Sequence, residues 1–151
     1  MESLALFIAV WLVPWLPAQD LAFREFFEPT SRELRPSARL LSLEGRRVRL
    51  VGFMTRSEEP PAGGFFLCPF PVVATEAGGG TADLPPETVF VVVPSAAGRE
   101  IPWTPRPVAA EGVLELGSRA GENGQVSSIR VVLDGTLPDR AGPGQPATSQ
   151  P

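Results

Sequence analysis

From Arg46 onward the side chains alternate in character. Val48, Leu50, Gly52 and Met54 fall on one side of an extended chain, while Arg47, Arg49, Val51 and Phe53 fall on the other. Successive side chains of a strand point to opposite faces, so this period of two predicts a first strand with one face in a core. The pattern returns four times. Phe65–Val73 predicts a second strand, whose Pro69 and Pro71 lack ladder donors and suggest an edge or bulge. Thr88–Val93 reads TVFVVV, a third strand that is apolar on both faces. In the fourth, Val108–Gly117, one side carries Val108, Ala110, Gly112, Leu114 and Leu116, and the other Glu111, Val113 and Glu115. The fifth is Gln125–Asp134, with Ile129, Val131 and Leu133 inward, and turn residues over 118–124 join it to the fourth as a hairpin. Five short strands, with Gly52 and Gly112 where a coiled strand has to bend, predict a mainly β domain built as a five-stranded OB-like barrel over residues 46–134.

One or two short helices are expected in a lead-in over residues 19–45. Leu21–Glu28 places Leu21, Phe23, Phe26 and Phe27 near one side of a helix that Pro29 ends. Ser37 then caps a second, with Ala38, Leu40, Leu41 and Leu43 available to pack and Gly45 as its stop. Before the lead-in, residues 4–16 read LALFIAVWLVPWL, apolar and uncharged but short for a bilayer crossing. This predicts a secretory signal over residues 1–18, cleaved after Ala18, and a periplasmic or otherwise extracytoplasmic location. Residues 135–151, rich in Gly and Pro with little to bury, read as a disordered tail.

The missing residue types narrow the chemistry. There is no His and no Tyr, and with no Lys either, all 13 basic residues are Arg. That removes His-based dyads and imidazole metal ligands, and with them Schiff bases, Ser-Lys pairs and P-loop lysines. A net charge of -4 at pH 7 opposes the attraction to phosphate on which nonspecific nucleic-acid binding depends. The one Cys, Cys68, cannot form an internal disulfide, and its apolar neighbours Phe65, Phe66 and Leu67 mark it as a buried small hydrophobe. No catalytic residue, cofactor or metal ligand set follows from the sequence.

Two connections invite a binding role. Residues 74–87 form a long loop with three consecutive glycines and the carboxylates Glu76, Asp83 and Glu87, which lack the spacing of a known calcium loop. Residues 101–107, IPWTPRP, are held extended by three prolines. They present Trp103 either as a plug over the barrel mouth or, with Arg106, as an anchor for a protein partner. On the first strand, Arg47 and Arg49 face outward with Phe53. If strands one and four are neighbours, as in an OB barrel, the arginines pair with Glu111 and Glu115. Otherwise Arg47, Arg49 and Phe53 belong to the outer face on which OB folds bind.

The run Leu43-Glu44-Gly45-Arg46-Arg47-Val48 into Val51-Gly52-Phe53-Met54, then Phe66-Leu67-Cys68-Pro69, a Val-rich strand and Glu111-Gly112-Val113-Leu114, resembles a family of short exported bacterial proteins of unknown function. The resemblance spans residues 34–134. It implies an OB-like barrel, and some members of that family are encoded beside ABC-type export systems. Members also carry a Cys followed by a His after strand two, where this chain reads Cys68-Pro69-Phe70-Pro71. The reading is therefore a noncatalytic accessory module of the cell envelope acting through a protein partner, with Trp103, Arg106, Arg47, Arg49 and Phe53 as candidate partner-binding residues. The alternative is metal or small-ligand handling through Cys68 and the loop carboxylates.

Overall fold

The computed structural model describes residues 17–30, 32–74, 84–121 and 124–134. The expected signal core and C-terminal tail lie outside them, as do Glu76 and Asp83. The fold is mainly β. Eight strands run in the order β1 (Gln19–Asp20), β2 (Arg47–Met54), β3 (Arg56–Ser57), β4 (Gly64–Cys68), β5 (Val73–Ala74), β6 (Val89–Val92), β7 (Val108–Ala120) and β8 (Val126–Leu133). Among the described residues the one α-helix, α1, spans Ala38–Ser42. Among the described residues no helix is long and apolar enough to cross a membrane.

Six strands share one sheet. β2 pairs antiparallel with β4 at its C-terminal end and with β7 along most of its length, from Arg47↔Val113 to Gly52↔Val108. β4 pairs antiparallel with β6, β6 parallel with β8, and β8 antiparallel with β7, so the chain of pairings returns to β2. The short β1 lies parallel to β2 at Val48 and Arg49, and β3 and β5 form a separate parallel pair. Inward positions follow the alternation: Val48, Leu50 and Met54 of β2, Ala110 and Leu114 of β7, and Ile129, Val131 and Leu133 of β8 are all buried in one core. At Gly52 and Gly112 the neighbouring backbone leaves no room for a side chain. A Cβ at Gly52 would stand 2.6 Å from the Cys68 carbonyl oxygen, and one at Gly112 2.0 Å from that of Val132.

The lead-in differs from two helices. Leu21–Glu28 contains only a 3-10 turn at Phe23–Glu25. The Glu25 carboxylate accepts the Ala22 N–H, while the Glu28 N–H goes to the Arg35 carbonyl and Phe27 bridges to Pro36, which draws the chain into an extended pair instead of a second helical turn. Leu21, Phe23 and Phe26 still bury against the core. α1 forms as expected, with Ser37 Oγ accepting the Leu40 N–H at 3.0 Å and Gly45 at φ +74 ending the turn that follows. Leu40 and Leu43 pack inward, and Leu41 is exposed.

Strand two is shorter than its apolar run. β4 stops at Cys68 because Pro69 and Pro71 offer no donors, and Val73–Ala74 pairs instead with Arg56–Ser57. β7 is longer than expected, continuing to Ala120 past an irregularity between Leu116 and Arg119, where Gly117 adopts φ +106. The hairpin narrows to residues 121–125, closed by a Gly121 N–H to Gln125 carbonyl bond of 2.7 Å.

Candidate functional site

The carbonyl that ends β2 holds Trp103, the one tryptophan among the described residues. Trp103 donates its indole Nε1–H to the Met54 oxygen at 3.2 Å, which pins the ring beside the strand end, yet 44% of the residue stays open to solvent. Ile101, two residues earlier, is buried in the core and anchors the segment. The ring is therefore held in place without being enclosed, unlike a plug.

Arg56 covers part of it. Its guanidinium carbon lies 5.2 Å from the Trp103 ring centroid, within the range of a cation–π contact worth about 0.5–1 kcal/mol at an exposed site. The Arg56 backbone is fixed by its N–H to the Val72 carbonyl at 3.0 Å, in register with Val73, which is itself 64% exposed. Trp103 and Arg56 thus form a mixed aromatic and cationic surface at the end of β2, and exposed Val73 lies on β5, the strand paired with the one that carries Arg56. Between Met54 and Arg56, Thr55 turns its hydroxyl to the buried Cys68 thiol at 3.2 Å, and Thr88 approaches the same sulfur at 3.4 Å.

The five residues singled out in the sequence do not form one patch. Phe53 is half-buried on β2, opposite Cys68 on β4 and next to Met54. Arg106 is exposed beyond Trp103, its backbone N–H donating to Thr104 Oγ1, and the cation over the indole is Arg56, which sequence reasoning passed over. Only a neighbour 47 residues away in the chain brings it there, so no local motif announces it. Arg47 and Arg49 belong elsewhere. Seven and five residues of strand separate them from Met54, a distance of about 23 and 16 Å at roughly 3.3 Å per residue.

Both of those arginines are engaged within the fold. Arg47 reaches Glu111 at 3.6 Å and Asp134 at 2.6 Å, and Arg49 reaches Glu111 at 3.5 Å and Asp20 at 3.8 Å. Glu115, expected to join them, faces β8 instead. The β2–β7 register ends at Arg47↔Val113, and Glu115 stands opposite Arg130, from which it accepts at 3.4 Å while also meeting Arg119 at 3.2 Å. Arg130 is 5% exposed and donates further to the Gly117 and Ser127 carbonyls, tying the irregular part of β7 to β8.

The chain matches no protein-family model and is similar to no curated protein. Among solved structures it is similar to the crystal structure of a DUF3299 family protein from Pseudomonas aeruginosa PAO1, at 14% identity and a TM-score of 0.48, over 83% of this chain and 99% of that one.

Two further features fall outside the Trp103 surface. Glu87 buries one carboxylate oxygen without a hydrogen bond, but among the described residues no three His, Cys, Asp or Glu side chains come together as a metal site. A small cleft, with a volume of only about 10 Å³, lies between Pro61-Ala62 and the β7–β8 hairpin. Its floor is the cross-strand pair Phe66–Phe90, with ring centroids 5.0 Å apart, and both rings are nearly covered already.

Proposed function

We propose that this chain is a noncatalytic accessory module of the cell envelope, an OB-like barrel that docks a protein partner through the Trp103 surface. The barrel reading rests on the cyclic order β2-β4-β6-β8-β7, with its one parallel neighbour pair at β6–β8, the strand order 1-2-3-5-4-1 of an OB barrel. The docking reading rests on one observation: an indole fixed by a hydrogen bond to Met54 and left 44% exposed. A pre-positioned aromatic loses little conformational freedom on binding, which is why tryptophan with arginine recurs among interface residues that dominate affinity. Export supplies the location, and the resemblance to proteins encoded beside ABC-type exporters suggests the class of partner.

A photo-crosslinking amino acid placed at exposed Val73, in intact cells, tests the docking. The expected product is one specific envelope protein, lost when Trp103→Ala is combined with the probe. Absence of any Trp103-dependent product refutes the reading. Sequencing the mature amino terminus tests export, and retention of residues 1–18 in a cytosolic product refutes that part.

A further inference from the structure

We infer that the docked segment presents an aspartate or glutamate carboxylate to Arg56, beside an apolar side chain that packs on Trp103; this rests on the docking reading of the same surface. Arg56 differs from the arginines that brace the sheet. Arg47, Arg49, Arg119 and Arg130 each have a carboxylate within 3.8 Å. Arg56 is exposed, rests over the indole and makes no ion pair among the described residues. Glu58 and Glu59, the acids closest to it in the chain, are exposed and do not pair with it.

Any partner that covers Trp103 also covers the guanidinium 5.2 Å from its centre. Removing an unpaired cation from water costs more than contact with a ring returns, so the partner has to bring the missing charge. A carboxylate meets a guanidinium through two parallel N–H···O bonds and fixes register as well as charge. The flanking groups identify the carrier. A cation resting on the exposed Trp103 ring, with exposed Val73 in register with Arg56 on the paired strand, matches one acid among apolar side chains of a peptide segment. Anionic membranes and nucleic acids call for clusters of basic residues, and the net charge here is -4.

The test pans a phage-displayed random-peptide library against the full chain, with Trp103→Ala as the counter-target. Trp103-dependent binders are expected to carry Asp or Glu next to an apolar residue, to lose affinity by about tenfold or more on Arg56→Gln, and to weaken as salt is raised. Changing the acid of a selected peptide to Arg is expected to restore binding to Arg56→Glu. Trp103-dependent binders without an acid, or with affinity kept within about twofold on Arg56→Gln, overturn this inference and leave the docking reading standing. No Trp103-dependent binder at all defeats both. Binding to phosphatidylglycerol vesicles that disappears with Arg56→Gln replaces the acidic peptide with a lipid surface and overturns it too.

Discussion

Replacing Gly112 by Ala strikes the point where β7 is hemmed in on both sides, opposite Val48 of β2 and Leu133 of β8. The added Cβ would stand 2.0 Å from the Val132 oxygen, 2.6 Å from its carbonyl carbon and 2.9 Å from Leu133 Cα. All three are backbone atoms, so no rotamer change relieves the clash. Reaching an ordinary contact of 3.4 Å requires a displacement of about 1.4 Å. A shift of that size takes neighbouring ladder bonds from roughly 2.9 Å to beyond hydrogen-bonding range. Two or three lost bonds at about 1 kcal/mol each, added to about 1–3 kcal/mol for overpacking, give a destabilisation of about 3–6 kcal/mol. That is a large share of the roughly 5–15 kcal/mol typical of a domain. Urea unfolding followed by far-ultraviolet circular dichroism reads it directly. Gly45→Ala is the control: its φ is +74 and nothing lies within 4 Å of the new Cβ, so only the left-handed backbone cost of about 1–2 kcal/mol applies. A Gly112→Ala protein that loses less stability than Gly45→Ala refutes the close approach of β7 and β8.

Arg130→Met is expected to cost about 2–4 kcal/mol, because the Gly117 and Ser127 carbonyls lose a buried charged donor, whereas Arg47→Met should cost less than about 1 kcal/mol; the reverse order in urea titrations contradicts the bracing role. Ser37→Ala removes both the cap of α1 and the hydroxyl bond to the Glu25 carbonyl and should lower stability by about 1–2 kcal/mol, with Ser37→Thr, which keeps a donating and accepting hydroxyl, retaining most of it; equal losses in both show that the hydroxyl is not the cause. The Cys68 thiol, fully buried between two threonine hydroxyls, should react with a disulfide reagent only as fast as the protein unfolds. Rapid labelling without denaturant places it elsewhere.

β2, β7 and β8 were readable because each carries an apolar inward face that writes itself as period two, whereas β4 and β6, buried almost throughout, were readable as apolar runs. Val48, Leu50 and Met54 and, on the far strand, Ile129, Val131 and Leu133 carry that signal without help from distant residues. The lead-in was harder to read because its aromatics bury equally well from a helix or from an extended pair. The choice there was made by Glu28 and Phe27 finding partners at Arg35 and Pro36, contacts that no local periodicity encodes. The same limit hid Arg56. Its relation to Trp103 exists only because residues 101–107 return to the end of β2, and the legible neighbour, Arg106, is close in sequence but absent from the ring.

The placement of the arginines also bears on where binding can occur. A side chain already held by carboxylates on its own sheet has to give up those contacts before it can serve a partner, so Arg47, Arg49 and Arg130 are poor candidates for recognition however exposed their strand faces. Arg47 and Arg49 lie on β2 and Arg130 on β8, the two strands that flank the carboxylates of β7. Arg56, by contrast, makes no ion pair among the described residues and sits at the strand end, where the short β3–β5 pair and the proline-bound Trp103 segment meet the end of β2. If partners dock at the Trp103 surface as proposed, charge reversal at Arg56, which makes no ion pair with the described residues of the sheet, should disturb binding without disturbing the sheet.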